Sequence, residues 1–182
     1  MEKELILSSE ENPTSFKLNP SMLLIMTDSF SEIINYLPKQ YGSAGTAMIY
    51  SMGFENGTHE VIRLREELKN LGLPTEKNEL LKKVFTRVSS MGWGKLSLEN
   101  HNQAMGKVNI LINSNPFKGA CENHGTSGCV FLRGYVAGIV AETLEEEIKY
   151  SSPECADIDY DCCLLRVNKT LALHVTHTDQ KD

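Results

Sequence analysis

The sequence predicts an α+β domain in which an antiparallel four- to five-stranded sheet packs against helices. Three observations carry this expectation. Apolar residues recur at helical spacing through the first half of the chain. The pattern changes to alternation after Trp93, where Val108, Ile110 and Ile112 fall in phase. One more amphipathic stretch, Cys129 to Glu146, is then followed by further candidate strands. Helices, hairpin, helix, hairpin is the order of an α+β domain, not of an alternating parallel one.

Taken in order, residues 1–15 are polar and charged, contain Pro13, and read as a flexible N-terminus. Residues 16–26 read as short extended pieces around Pro20. A helix is expected from Ser29, which has capping-box spacing with Glu32; Ile33, Ile34 and Leu37 continue it until Pro38 ends or kinks it. A long helical stretch follows from about Ser43 to Leu71, with Met48, Met52, Val61, Leu64 and Leu68 on its inner face. Gly53 and Gly57 lie in its middle. Each costs about 1 kcal/mol relative to Ala, so a close neighbour or a bend is expected there. Gly72 and Pro74 end the stretch.

Thr75 to Met91 reads as the next helix, with Leu80, Leu81, Val84, Phe85 and Val88 on one side. Trp93–Glu99 and Lys107–Asn113 read as strands joined by a turn over Asn100–Gly106, and 114–128 as loop. In the helix from Cys129 to Glu146, Gly134 and Gly138 share a face and permit close backbone approach. Strands are expected near Ile148–Ser151 and Cys162–Asn168, with a further one near Leu171–Val175. Residues 16–176 thus form one domain, between flexible segments 1–15 and 177–182. A chain of 182 residues suits one domain and buries roughly 70% of its unfolded surface.

Hydrophobic residues at 41% and charged residues at 23% are ordinary globular values. They exclude a disordered or collagen-like chain. A net charge of −6 lacks the electrostatic footprint of a nucleic-acid binder. The densest apolar run, Met22 to Met26, is too short to span a membrane. The first residues have neither a basic n-region nor a long apolar run, so a cytoplasmic location is expected. Five cysteines, an odd number, then favour thiol or metal chemistry over a disulfide framework. Gly42-Ser43-Ala44-Gly45 lacks the lysine and preceding strand of a phosphate loop. No G-x-S-x-G, H-E-x-x-H or G-x-G-x-x-G occurs, and no catalytic residue is nominated. His174 and His177 read as solvent-exposed residues of a frayed end. Glu145-Glu146-Glu147 reads as a solvated face that opposes the helix dipole.

The block 128–167, GCVFLRGYVAGIVAETLEEEIKYSSPECADIDYDCCLLRV, resembles the 4-vinyl reductase domain family. Its fold is shared by phenol- and xylene-sensing activator domains and by TRAPP trafficking subunits. Met52-Gly53-Phe54-x-x-Gly57 resembles the family's glycine-containing helix, and Gly92-Trp93-Gly94 its entry into the sheet. The resemblance runs from about residue 16 to 168. In metal-bearing members, zinc is held by three cysteines and a glutamate. On this chain the cysteines fall on Cys129, Cys155 and Cys163, but the glutamate position falls on Ser152, which is no zinc ligand. Glu154, Asp157, Cys121 and His124 are the candidates for a fourth ligand. The favoured alternative is that these cysteines are small buried hydrophobes.

The resemblance also implies a mostly apolar pocket between helices and sheet. Its candidate liners are Phe54, His59, Trp93, Ile110, Ile112, Phe117, Phe131, Tyr135 and Tyr150. The favoured reading of His59 is nonetheless a solvent-facing histidine among Glu55, Glu60 and Arg63, and that of Trp93 a core aromatic. The function this implies is a stand-alone small-molecule-binding domain, a sensor or carrier, with a structural zinc if the ligands suffice. Its partners would be a small hydrophobic molecule and a second copy or related chain. One alternative is a TRAPP-like dimerising adaptor, pairing through the helix around Phe85 or the Gly53/Gly57 face. Another is an accessory subunit of a tetrapyrrole or other reductase.

Overall fold

The computed structural model describes the backbone of residues 4–9, 12–17, 25–102, 107–117, 127–144, 154–159 and 162–168. Side chains are described for 25–98, 108–117 and 128–144. The chain begins with β1 (Glu4–Ser9) and β2 (Asn12–Lys17), an antiparallel pair with Leu5 opposite Phe16 and Leu7 opposite Thr14. This corrects the expectation of a loose start. The short run Leu5-Ile6-Leu7 sits opposite Thr14 to Phe16 in the backbone ladder.

Helix α1 (Thr27–Asn70) is longer than the periodicity suggests. It starts two residues before Ser29, behind an extended Met26, with no side-chain cap, so the expected capping box is not used. It also passes through Pro38. The break falls at Gly42, whose backbone (φ 55°, ψ −131°) is open to glycine alone. Proline removes one ladder hydrogen bond but tolerates a helical φ. A sharp turn needs φ of the other sign, and four residues on glycine supplies it.

The inner face of α1 keeps Val61, Leu64 and Leu68, as expected, but not the two methionines. Met48 and Met52 are 49% and 42% exposed. The buried side carries Ile49, Gly53, Gly57, Glu60, Val61, Leu64 and Leu68. The reason is the neighbouring helix α3 (Ser127–Leu144), the most extensive partner of α1. A Cβ on Gly53 would strike the Phe131 carbonyl, and one on Gly57 the Tyr135 carbonyl. Reciprocally, a Cβ on Gly134 would strike the Tyr50 carbonyl, and one on Gly138 that of Phe54. Residue numbers rise together along the two helices, so they cross in parallel, backbone on backbone. Only the smallest residues fit that face, which turns the methionines outward.

Helix α2 (Lys77–Ser90) buries Leu80, Leu81, Val84, Phe85 and Val88, the side its spacing predicts. The sheet contains β3 (Lys95–Asn102), β4 (Lys107–Asn113), β5 (Glu154–Asp159) and β6 (Cys162–Asn168), in the order β3-β4-β6-β5, with every neighbour antiparallel. Strand β3 begins two residues after Trp93 and runs two beyond the expected start of the turn. The expected strands at 148–151 and 171–175 lie outside the described residues. Leu96, Val108, Ile110 and Ile112 bury one sheet face in the same core cluster as the helices. Phe85 and the Gly53/Gly57 face are consumed inside this core, so neither is available as the pairing surface expected for an adaptor.

The crossing makes a specific prediction. Gly57→Ala forces a methyl group against a backbone carbonyl that no rotamer change can move, and should cost about 3 kcal/mol. Gly72→Ala, at φ 66° with nothing within 4 Å, should cost only the left-handed penalty of about 1–2 kcal/mol. Urea unfolding of the two variants checks the ranking.

Candidate functional site

Five aromatic rings converge from four segments of the chain. Phe30 comes from the first turn of α1, Trp93 from the turn between α2 and β3, Phe117 from the segment after β4, and Phe131 and Tyr135 from α3. Each is positioned for a local reason. Trp93 stands between Gly92 (φ 89°) and Gly94 (φ 95°), left-handed positions that let the chain reverse over the end of α2. Its N–H donates to the Val88 carbonyl at 3.3 Å. Gly94 also lies close to Ile112, so the turn is pressed onto the buried face of the sheet. Phe117 is held by its N–H donating to Asn115 Oδ1 at 2.9 Å, an Asx-type turn. Gly128, at the start of α3, makes room for the Phe117 ring.

The rings meet in definite geometry. Trp93 stacks on Tyr135 at 5.0 Å and 21°, and on Phe131 at 5.6 Å and 22°. Phe131 and Tyr135 are one helical turn apart, so one indole covers both. Phe30 meets Phe131 edge-on at 5.0 Å and 81°, and Trp93 at 6.2 Å and 89°. Phe117 tilts against both Phe30 and Trp93 at 6.1 Å. Stacked and edge-to-face pairs of this kind contribute about 0.5–1.5 kcal/mol each beyond area burial.

Of the nine nominated liners, the structure brings Trp93, Phe117, Phe131 and Tyr135 together. Ile110 and Ile112 are fully buried on the sheet. Phe54 is half-buried on α1, with its carbonyl against Gly138. His59 is exposed, as its charged neighbours suggested, and does not join the cluster. Tyr150 lies outside the described residues. Phe30 was missed; its signal is the series Phe30, Ile34, Leu37, which shares one helical face and packs on the core.

A buried charge was missed too. Glu60 is only 2% exposed. Its Oε2 pairs with Arg63, and its Oε1 lies 2.8 Å from Arg87 Nε of α2. That contact is ionic, because Oε1 accepts no hydrogen bond among the described residues. Arg87 also pairs with Glu67. The hydrogen bond to Glu67, with the Glu60 charge behind it, raises the Arg87 pKa above its ordinary value. Burial first, and then the Glu60 charge, push the Tyr135 phenol well above the usual tyrosine range. Burial raises Tyr50 to about 12, partly offset by the charge of Arg133. At the other end of α3, Arg65 donates to the Glu142 carbonyl at 2.8 Å and Lys77 to the Leu144 carbonyl at 2.7 Å. They satisfy terminal acceptors and oppose the negative end of the helix dipole.

Cys129 is buried and lies in a disulfide whose partner is outside the described residues. This departs from the thiol or metal chemistry expected of it, since a disulfide sulfur is not the thiolate that zinc requires. In the sheet, Cys163 pairs with Ile112, and Cys155 pairs with Leu165, which pairs with Ile110. Their side chains lie outside the described residues. Among the described residues, no three histidine, cysteine, aspartate or glutamate side chains converge as metal ligands. Among the same residues, no helix is long and apolar enough to cross a membrane.

No protein-family model matches the sequence, and no curated protein is similar to it. Solved structures are. The chain is similar to the phenol-responsive sensory domain of the transcription activator PoxR, crystallised with phenol. The TM-score is 0.60 at 12% identity, over 90% of this chain and 84% of that one. It is also similar to a trafficking protein particle complex subunit 3 from Naegleria fowleri, covalently bound to palmitic acid. There the TM-score is 0.51 at 13% identity, over 79% of this chain and 92% of that one. The chain has the fold of these two proteins. At such identities the likeness is one of fold, and the resemblance to the 4-vinyl reductase domain family rests on the residues alone.

Two predictions follow from the charges. Arg87→Met strands Glu60 in the core beside a largely exposed Arg63, and should destabilise by about 2 kcal/mol, whereas Arg63→Met should cost less than about 1 kcal/mol. Thermal unfolding of both variants checks this. Tyr50 and Tyr135 have pKa values raised above the ordinary 10. Above that pH the unfolded chain releases protons that the folded chain keeps, so the contribution of both groups is full below pH 10 and is lost as pH rises toward about 12. In an alkaline titration, two of the six tyrosines should ionise only together with loss of the helical circular dichroism.

Proposed function

We propose that the chain is a small-molecule-binding domain, a sensor or carrier, whose ligand is a compact aromatic or acyl molecule. Its mostly apolar pocket would lie between α1, α3 and the sheet, at the Trp93 cluster. The observation that supports this best is the convergence of five rings from four segments at one end of the sheet. Here Trp93, Phe131 and Tyr135 gather beside the buried face of the sheet, the kind of aromatic and apolar lining that sites for small apolar ligands use. Two proteins of the same fold hold phenol and palmitic acid. The proposed liners are Trp93, Ile110, Ile112, Phe117, Phe131 and Tyr135, with Phe30 added. His59 has no part in it.

Zinc is a separate proposal, confined to the reduced chain. Cys129, Cys155 and Cys163 would be its ligands, and a fourth would have to replace the missing glutamate. The disulfide at Cys129 does not fit it, so the ligand-binding reading makes no use of a metal.

A TRAPP-like dimerising adaptor is the second reading. What favours it is the pair Met48 and Met52, one turn apart and exposed on the part of α1 beyond Gly42.

Trp93 is the sole tryptophan and stands in the proposed site, so its emission reports on the site directly. Titration with phenol and with palmitate should change that emission saturably and raise the unfolding temperature with at least one of them. Native mass spectrometry of the protein as purified, with and without reductant, should show a retained organic mass. An unchanged emission with both ligands and a bare monomer would sink the proposal. A bare dimer would favour the adaptor.

A further inference from the structure

We propose that the first arm of α1, residues 27–41, is a lid over the Trp93 cluster, hinged at Gly42. This rests on the reading of that cluster as the ligand site, and it addresses how a ligand gets in. Phe117, Phe131 and Tyr135 are no more than 4% exposed. Nothing can reach their faces unless an element moves. Among the described elements around them, the first arm of α1 is the one least tied to its neighbours.

The two arms are held differently. Beyond Gly42, α1 is locked to α3 at Gly53 and Gly57, and to α2 and α3 by the ion pairs of Glu60, Arg65 and Glu67. Among the described residues, no ion pair or side-chain hydrogen bond ties residues 27–41 to another element. That arm is attached by apolar contact alone, through Phe30, Ile34 and Leu37. Elements held by few contacts open at lower free energy than the rest of a fold.

The hinge is equally specific. The ladder of α1 is interrupted twice within five residues. Pro38 has no N–H to donate, and Gly42 leaves helical geometry altogether. A Cβ at Gly42 would meet nothing within 4 Å, so packing does not explain this glycine; its backbone angles do. Three residues on, Gly45 folds against the Leu37 carbonyl, which lets the two arms sit close at the bend. A rotation at Gly42 therefore carries the first arm as a body, without disturbing the α1–α3 crossing.

The lid covers the right place. Phe30 is the ring that seals the cluster, edge-on to both Trp93 and Phe131. Lifting it would uncover the junction of those two rings, while Tyr135 stays stacked on Trp93.

The test uses the full unliganded chain. Hydrogen exchange by mass spectrometry should show the amides of residues 29–41 exchanging at least about tenfold faster than those of 46–64. Acrylamide quenching of Trp93 should rise in Phe30→Ala, which removes the seal. It should also rise in Gly42→Ala, which cannot hold the bend that seats it. Equal exchange on both sides of Gly42 would overturn the lid. So would quenching that both substitutions leave unchanged. Should Gly42→Ala fail to fold, the wild-type exchange pattern decides alone. None of these readouts involves a ligand. Failure of phenol and palmitate to bind would therefore count against the function and leave the lid standing, whereas uniform exchange would remove the lid and leave the ligand titration untouched.

Discussion

The backbone-to-backbone crossing of α1 and α3 is the constraint on which the rest of the structure depends. Four glycines, two per helix, interlock so that each faces a carbonyl of the other helix. Each costs about 1 kcal/mol of helix propensity. The return is the dispersion contact of two helices packed at the closest approach a polypeptide allows. Because the helices run parallel and touch at Gly53, Gly57, Gly134 and Gly138, the azimuth of both is set. Phe131 and Tyr135 then face the Trp93 turn, and Glu60, one turn beyond Gly57, points inward at α2.

That inward carboxylate explains much of the polar chemistry. A charge so deeply buried needs company, and α2 supplies Arg87, which is itself steadied by Glu67. Burial and the Glu60 charge keep the Tyr135 phenol neutral, against the opposing pull of Arg63 and Arg87. At the far end of α3, the acidic run that follows the helix looked opposed to its dipole. Arg65 and Lys77 resolve this by donating to the last carbonyls from neighbouring helices. Capping by tertiary contact takes the place of a local basic residue, and it also ties α3 to α1 and α2.

The same fold serves a phenol-responsive sensory domain and a palmitate-bearing trafficking subunit, so the fold alone does not choose a function. This chain combines a largely buried aromatic cluster with an α1 divided at Gly42. The second arm of α1 is locked to α2 and α3, whereas the first packs through Phe30, Ile34 and Leu37.

The sequence by itself determined the elements whose causes are local. Helices α2 and α3 and strands β4 and β6 lie within two residues of where periodicity put them, because burial on one face writes a regular apolar pattern. Gly92-Trp93-Gly94 was singled out through resemblance as the entry into the sheet; that both glycines take positive φ, and delay the strand to Lys95, came from the structure. Four of the five rings that meet around Trp93 were singled out through resemblance. Tertiary structure alone decided the rest. The inner face of α1 is written in glycine, which leaves no apolar signal, so Met48 and Met52 suggested the wrong side. The break in α1 went to Gly42 rather than Pro38, where Gly45 could close on Leu37 across the bend. Glu60 read as one charge among many, because only the crossing with α3 and the arrival of Arg87 make it a buried one. In each case the deciding partner lies on another turn or another element, and spacing along the chain does not encode it.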